Sequence, residues 1–285
     1  MGENKIFQNP PRQYAPTLAG ILKMIDPHDY TDKCWWCANK ADSREHRFKK
    51  SDIVREFGRG SFDKGEVVKT AGDFDVDNGL PIQGPNSTYL KFPKNICQKC
   101  NSESSQSFDI CYDKFMTYLK ENEEFIFESK VVNLRTVFGD NWATDYNSLI
   151  KYFVKNISTR FADAGVKIEQ EIIEFLNGDR ELQFFKLVFQ IRTDWVEFYK
   201  NLKTKNEDYG YVHASGIEGR ESKSMGTYYW LGGVLQYRWF QVTYYYDKIR
   251  LNFPTDNQDS EIFRLTEDYT ITPEEMKENI VKNAR

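Results

Sequence analysis

Two CxxC pairs constrain this chain more than any other feature. The first is Cys34 and Cys37 in "CWWC", and the second is Cys97 and Cys100 in "CQKC". In a reducing compartment, paired CxxC motifs favour metal over disulfide. Each CxxC turn lets two sulfurs reach one ion, and four thiolates complete the tetrahedron that Zn²⁺ prefers. A closed shell of four cysteines leaves no position for water or substrate, so the expected zinc is structural. It would clamp the chain near residue 34 to the chain near residue 97, across a loop of about sixty residues. A redox role for either CxxC is the alternative, and the presence of two pairs argues against it. The fifth cysteine, Cys111, lies in "DICYDKFMTYL", an apparent helix, and is expected to be a small buried apolar residue. Trp35 and Trp36 are expected to pack on the zinc knuckle.

The clamp gathers polar side chains. Glu45 and His46, in "SREH", begin eight residues after Cys37; Asn95 precedes Cys97 and Asn101 follows Cys100. A carboxylate and a carboxamide together suit a hard divalent cation. A neutral imidazole beside them can take a proton from water near pH 7. That is equipment for metal-assisted phosphodiester hydrolysis.

The ordered set Cys34-x2-Cys37, Glu45-His46, Asn95-Ile-Cys97-x2-Cys100-Asn101 resembles the zinc-knuckled branch of the HNH endonucleases, the ββα-metal or His-Me finger group. The resemblance covers roughly residues 31 to 115. It implies that His46 activates the attacking water, that Glu45 and Asn101 hold a catalytic Mg²⁺ or Mn²⁺, and that Asn95 orients the loop or the imidazole. It also implies a ββ hairpin laid over DNA, with Arg44, Arg47, Lys49 and Lys50 on neighbouring phosphates. The chain departs from the family pattern in three places. "RFKKSD" follows the histidine without a proline, the connector from His46 to Asn95 is long, and Asn101 stands where histidine is common. If Asn101 only caps a helix, Glu103 or Asp109 would have to reach the metal. Stand-alone enzymes of this kind are often linked to phage or to antiviral defence. An RNA-directed nuclease and a non-catalytic zinc-knuckle binding module are the alternatives.

The remaining features set the frame. The chain has 285 residues, with 29% charged and 15% aromatic residues, including 21 Phe and 17 Tyr; this describes a folded, aromatic-rich protein. The net charge of −4 argues against indiscriminate coating of nucleic acid. Seven basic residues against four acidic ones nonetheless lie between Lys40 and Arg59, beside the first cysteine pair. No run of about 18 apolar residues predicts a membrane span. "MGENKIFQNPPRQYAP" lacks an apolar signal core, and Ile6 stands where a myristoylation signal prefers Ser or Thr. The expected setting is cytoplasmic. Activity in an acidic protein is expected to be controlled by a partner protein, a ligand or homo-oligomerisation.

The expected fold class is α+β, in three parts: an arm over 1–30, the zinc-stapled module over 31–125, and an α+β C-terminal domain over 126–285 for substrate or partner selection. The stretch between the cysteine pairs is rich in Gly, Asp and Asn and predicts a long loop with short strands. "TYLKFPKNI" predicts a strand entering the second pair. Leu149, Ile150, Phe153, Val154, Ile157 and Phe161 lie on one helix face within 145–164, with Gly165 as the stop. A second helix is expected to end at Gly178. "LQFFKLVFQIRTDWVEFYKNL" fits both periods, and helix is the expectation. "TYYWLGGVLQYRWFQVTYYYDKIRLNF" predicts strands with Gly232-Gly233 as a turn or bulge, its aromatics mostly in the core. Thr272, Pro273 and Glu275 form a capping box that opens a terminal helix. His28 and His213 are expected to be structural or surface residues.

Overall fold

A computed structural model describes residues 28–62, 69–72, 75–206, 210–222, 227–247 and 261–268. The arm before residue 28 and the helix expected after Thr272 lie outside the described residues. The fold is mixed α and β, in keeping with the α+β class.

The first part is irregular, as its Gly, Asp and Asn content predicts. It holds helix α1 (Lys50–Phe57) and a hairpin of β1 (Lys69–Gly72) with β2 (Asp75–Pro81). After the second cysteine pair come α2 (Gln106–Glu121), α3 (Glu123–Ser129), β3 (Val131–Asn133) and α4 (Leu134–Phe138). Helix α5 (Trp142–Asp163) includes the predicted face, and all six of its apolar residues are buried. Gly165 follows at φ 72°, a left-handed conformation that costs glycine nothing. Helix α6 (Gln170–Asn177) ends at Gly178, also left-handed. Both stops are as expected.

The ambiguous segment resolves into both of its periods, not one helix. Strand β4 (Phe185–Arg192) runs directly into α7 (Thr193–Thr204). Phe185, Phe189 and Ile191 are buried from the strand, and Trp195, Val196 and Tyr199 from the helix. The helical pattern in the sequence straddles this junction.

Next come β5 (Val212–Ala214), β6 (Glu218–Ser222), β7 (Thr227–Tyr237), β8 (Phe240–Asp247), β9 (Ile262–Arg264) and β10 (Thr266–Asp268). The main sheet runs β10-β4-β8-β7-β5, with β6 also on β7; β10 lies parallel to β4, and β4, β8, β7 and β5 alternate antiparallel. Strands β3 and β9 form a separate antiparallel pair.

The turn between β7 and β8 is at Arg238-Trp239, not at Gly232-Gly233. Tyr237 pairs with Phe240 across the two-residue loop, and Arg238 takes φ 54°. The glycines sit inside β7 opposite Tyr245 and Tyr244. A Cβ at Gly233 would stand 2.4 Å from Tyr244 Oη, and one at Gly232 would stand 2.7 Å from the Trp230 ring. These positions are small because rings fill the space.

One apolar core joins the layers. Phe153 of α5 meets Phe189 of β4 edge-on at 5.5 Å, and Phe189 stacks on Phe240 of β8 at 5.9 Å. The same buried cluster reaches from Cys34 to Leu265, so it is continuous across residue 125. Tyr237, Trp239, Tyr244 and Tyr246 belong to it, as the strand aromatics were expected to.

Candidate zinc clamp and the polar site behind it

The four predicted ligands meet. Cys34, Cys37, Cys97 and Cys100 place their sulfurs within 4.8 Å of one another, and none is in a disulfide. Cys37 and Cys97 are 3.5 Å apart. A tetrahedral zinc with Zn–S of about 2.3 Å sets its sulfurs about 3.8 Å apart, so the set fits the ion. The crowding also shows in the acidities. A hydrogen bond from Cys100 pulls the Cys34 thiol down to about 5, while Cys100 is pushed far above the usual thiol range by its bond to Cys34. Ionising one sulfur opposes the next, and a bound cation relieves that opposition. The four cysteines could hold a metal such as zinc.

Local structure explains the knuckles. Ala38 N–H returns to Cys34 O at 2.9 Å, and the left-handed φ of 61° at Ala38 then turns the chain so that Asn39 O accepts from Cys34 N at 2.7 Å. In the second knuckle Asn101 N returns to Cys97 O at 2.9 Å. Trp35 N donates to Asn95 O at 3.0 Å and ties the two together. Trp36 stacks on Phe108 and donates Nε1 to Asn177 Oδ1 at 2.9 Å. Both tryptophans are buried, in keeping with packing on the knuckle. Cys111 is buried in α2.

The chain at 43–47 runs antiparallel to 90–96. Ser43 N donates to Ile96 O, Phe92 N to Glu45 O, and Arg47 N to Leu90 O. Of the expected strand at "TYLKFPKNI", the first three residues, Thr88–Leu90, form a short 3-10 turn instead, and the rest is paired only through isolated bridges. The bridges Ser43–Ile96 and His46–Lys91 leave two extra residues on the second segment. That bulge contains Pro93, which has no N–H for a ladder. It turns Asn95 inward, to 4% exposure.

Asn101 does not open a regular α-helix. Residues Lys99–Glu103 form a π turn, in which Ser104 N reaches Lys99 O, and α2 begins only at Gln106. Such turns recur at functional sites.

The polar side of α5 closes over these residues. Lys155 Nζ lies 2.9 Å from Glu45 Oε2. Asn156 Nδ2 donates to His46 O at 3.1 Å, Arg160 donates to Arg47 O, and Asn95 Nδ2 donates to Thr159 O at 3.3 Å. Lys155, Asn156, Thr159 and Arg160 are all buried. Sequence reasoning missed all four. The signal was available in "KNISTRF", a polar run that continues into the middle of an apolar-faced helix.

Lys155 Nζ also reaches Asn101 O at 3.3 Å, so Glu45, the backbone of His46, Asn95 and the backbone of Asn101 are joined through one stretch of α5. His46 Nε2, Asn95 Oδ1 and Asn101 Oδ1 are buried without a hydrogen-bond partner among the described residues. Burial, then Lys91 and Lys50, lowers the His46 pKa to about 4, so its ring is neutral at pH 7. Asn101 Nδ2 is held by Ser43 Oγ at 2.9 Å.

The basic residues divide. Arg44 and Lys50 are exposed. Arg47 pairs with Asp163 at 3.2 Å and lies over the Phe92 ring. Lys49 is taken up by Asp109 and Asp113, each at 3.0 Å, and the same bond occupies Asp109, the alternative metal ligand. Glu103 is exposed. His28 lies against Tyr30, and half-buried His213 stacks on Tyr211. No helix of the described residues is long and apolar enough to cross a membrane. Comparison with protein-family models, curated proteins and solved structures found no match to the chain.

Proposed function

We propose that the chain is a zinc-clamped endonuclease of the HNH type that hydrolyses phosphodiester bonds in DNA, with His46 as general base. One observation carries the reading. The four cysteines converge, and behind them His46 keeps a neutral imidazole whose Nε2 has no partner. A general base needs a free lone pair. Zinc would hold the two segments in place and supply no chemistry. Asn156 fixes the backbone of His46. With Arg47 and Lys49 taken up by carboxylates, Arg44, Lys50 and Lys91 are the neighbouring cations left to receive phosphates.

The Mg²⁺ or Mn²⁺ implied at Glu45 and Asn101 does not fit the side chains as they stand, because Glu45 holds the Lys155 ammonium.

A non-catalytic zinc-knuckle binding module is the second reading. It is favoured by the burial of His46 Nε2 and by the carboxylates that occupy Lys49 and Arg47. The test is incubation of zinc-loaded protein with plasmid DNA and with RNA, with and without Mg²⁺ or Mn²⁺, beside His46→Ala. The nuclease reading expects cleavage that His46→Ala lowers by about 10²- to 10⁴-fold. Equal cleavage by the variant removes His46 from the chemistry, and absence of cleavage by the parent leaves the binding module. Regulation by a partner, a ligand or homo-oligomerisation, in a phage or defence setting, belongs to the same proposal.

A further inference from the structure

Lys155 stands 1% exposed within α5, and its ammonium is surrounded by oxygen. Nζ lies 2.9 Å from Glu45 Oε2, 3.0 Å from Ser105 Oγ and 3.3 Å from Asn101 O. An ammonium has three N–H donors and no acceptor. Three oxygens therefore use it completely. Ser105 is itself fully buried and donates to Asn101 O at 3.0 Å, which fixes the cage from the side of the π turn.

This cage is built from the residues to which the HNH resemblance assigns a divalent cation. Glu45 supplies one negative charge, and Lys155 already balances it. A dication added beside the ammonium would leave two uncompensated positive charges in a buried place, where unpaired charge is strongly disfavoured. Nor is Glu45 part of a larger acidic set. Among the described residues, the only group of three or more Cys, His, Asp or Glu ligand atoms is the cysteine cluster.

We infer that Lys155 is the resident cation of this site: its ammonium takes the place of Mg²⁺ or Mn²⁺, positioning Glu45 and the Asn101 turn, and the Glu45 site binds no divalent metal. The inference rests on the nuclease reading only for the role of Glu45. The cage itself is read from geometry. Lys155 is a positioning residue, since it touches Glu45 and the turn and is shut off from any substrate.

The test is titration of the zinc-loaded full chain with Mn²⁺, with free Mn²⁺ followed by electron paramagnetic resonance, for the parent, Glu45→Gln, Lys155→Met and the double variant. The parent should show no Mn²⁺ site that depends on Glu45. Lys155→Met should gain one, and Lys155→Met with Glu45→Gln should lose it. A merely structural lysine would change melting without creating a metal site. A Mn²⁺ site in the parent that Glu45→Gln abolishes overturns the inference. So does a folded, zinc-loaded Lys155→Met that gains none. If Lys155→Met fails to fold, the parent titration decides: silence upholds the inference and a Glu45-dependent site overturns it. Plasmid cleavage is measured in parallel. Its absence in every arm defeats the nuclease reading and leaves the Mn²⁺ result standing.

Discussion

Tyr112 donates its hydroxyl to Asp52 at 2.5 Å, and neither residue has appreciable exposure. The bond joins α1 to α2, and Arg55 reaches the other carboxylate oxygen from the same helix. Burial raises the Asp52 pKa to about 6, against the opposing pull of Arg55 and of the Tyr112 hydrogen bond. A raised carboxylate favours the protonated folded state, so its contribution is complete below the unfolded value and lost as pH rises through about 6. Relative to Asp52→Asn, the parent should therefore gain about 1 kcal/mol on going from pH 7.5 to pH 5. Denaturant unfolding of both zinc-loaded proteins at the two pH values measures this. A difference that does not change with pH contradicts it.

Zinc removal should unfold the region around the clamp. The cysteines join residues 34–37 to 97–100, and their cluster is continuous with the main core. Cys97→Ser should purify with far less zinc and lose several kcal/mol of stability, on the order seen for structural sites. Elemental analysis with thermal melting checks this. A zinc-free parent with an unchanged melting temperature speaks against a structural ion.

Gly233 faces the end of a ring that cannot retreat. A Cβ there would meet Tyr244 Oη at 2.4 Å and Cζ at 2.7 Å, and Tyr244 is fully buried. Gly233→Ala should cost about 1–3 kcal/mol by overpacking. Tyr244→Phe removes the nearer atom, so the double variant should be less destabilised than the two single effects predict. Strict additivity in a double-mutant cycle refutes the contact.

If His46 is the base, the acid limb of its rate profile should lie low. Only the neutral ring accepts a proton, and burial with Lys91 and Lys50 brings its pKa to about 4. Cleavage should persist from pH 7 down to about pH 5, where an ordinary histidine near 6.5 is mostly protonated. A midpoint near 6.5 would mean that the ring is solvated in the working enzyme.

Short-range pattern determined much of this protein in advance. The cysteine spacing forecasts each pair, because a CxxC turn needs only its own backbone to aim two sulfurs together, and the tetrahedral demand of one ion forecasts that the two pairs meet. The apolar spacing of α5 and the glycines at 165 and 178 mark two helices by the same local logic. Tertiary structure decided the rest. Arg238 holds a left-handed turn, where glycine is usual, because its guanidinium lies 4.0 Å over Tyr199 and pairs with Glu56 and Glu123. Gly232-Gly233, which look like the turn, are strand residues making room for rings. The polar face of α5 would normally be solvated. It is buried because Glu45, His46 and Arg47, more than a hundred residues earlier, supply partners for Lys155, Asn156 and Arg160. Periodicity records which residues are apolar. Whether a lysine meets water or a carboxylate depends on chain that is distant in sequence and near only after folding.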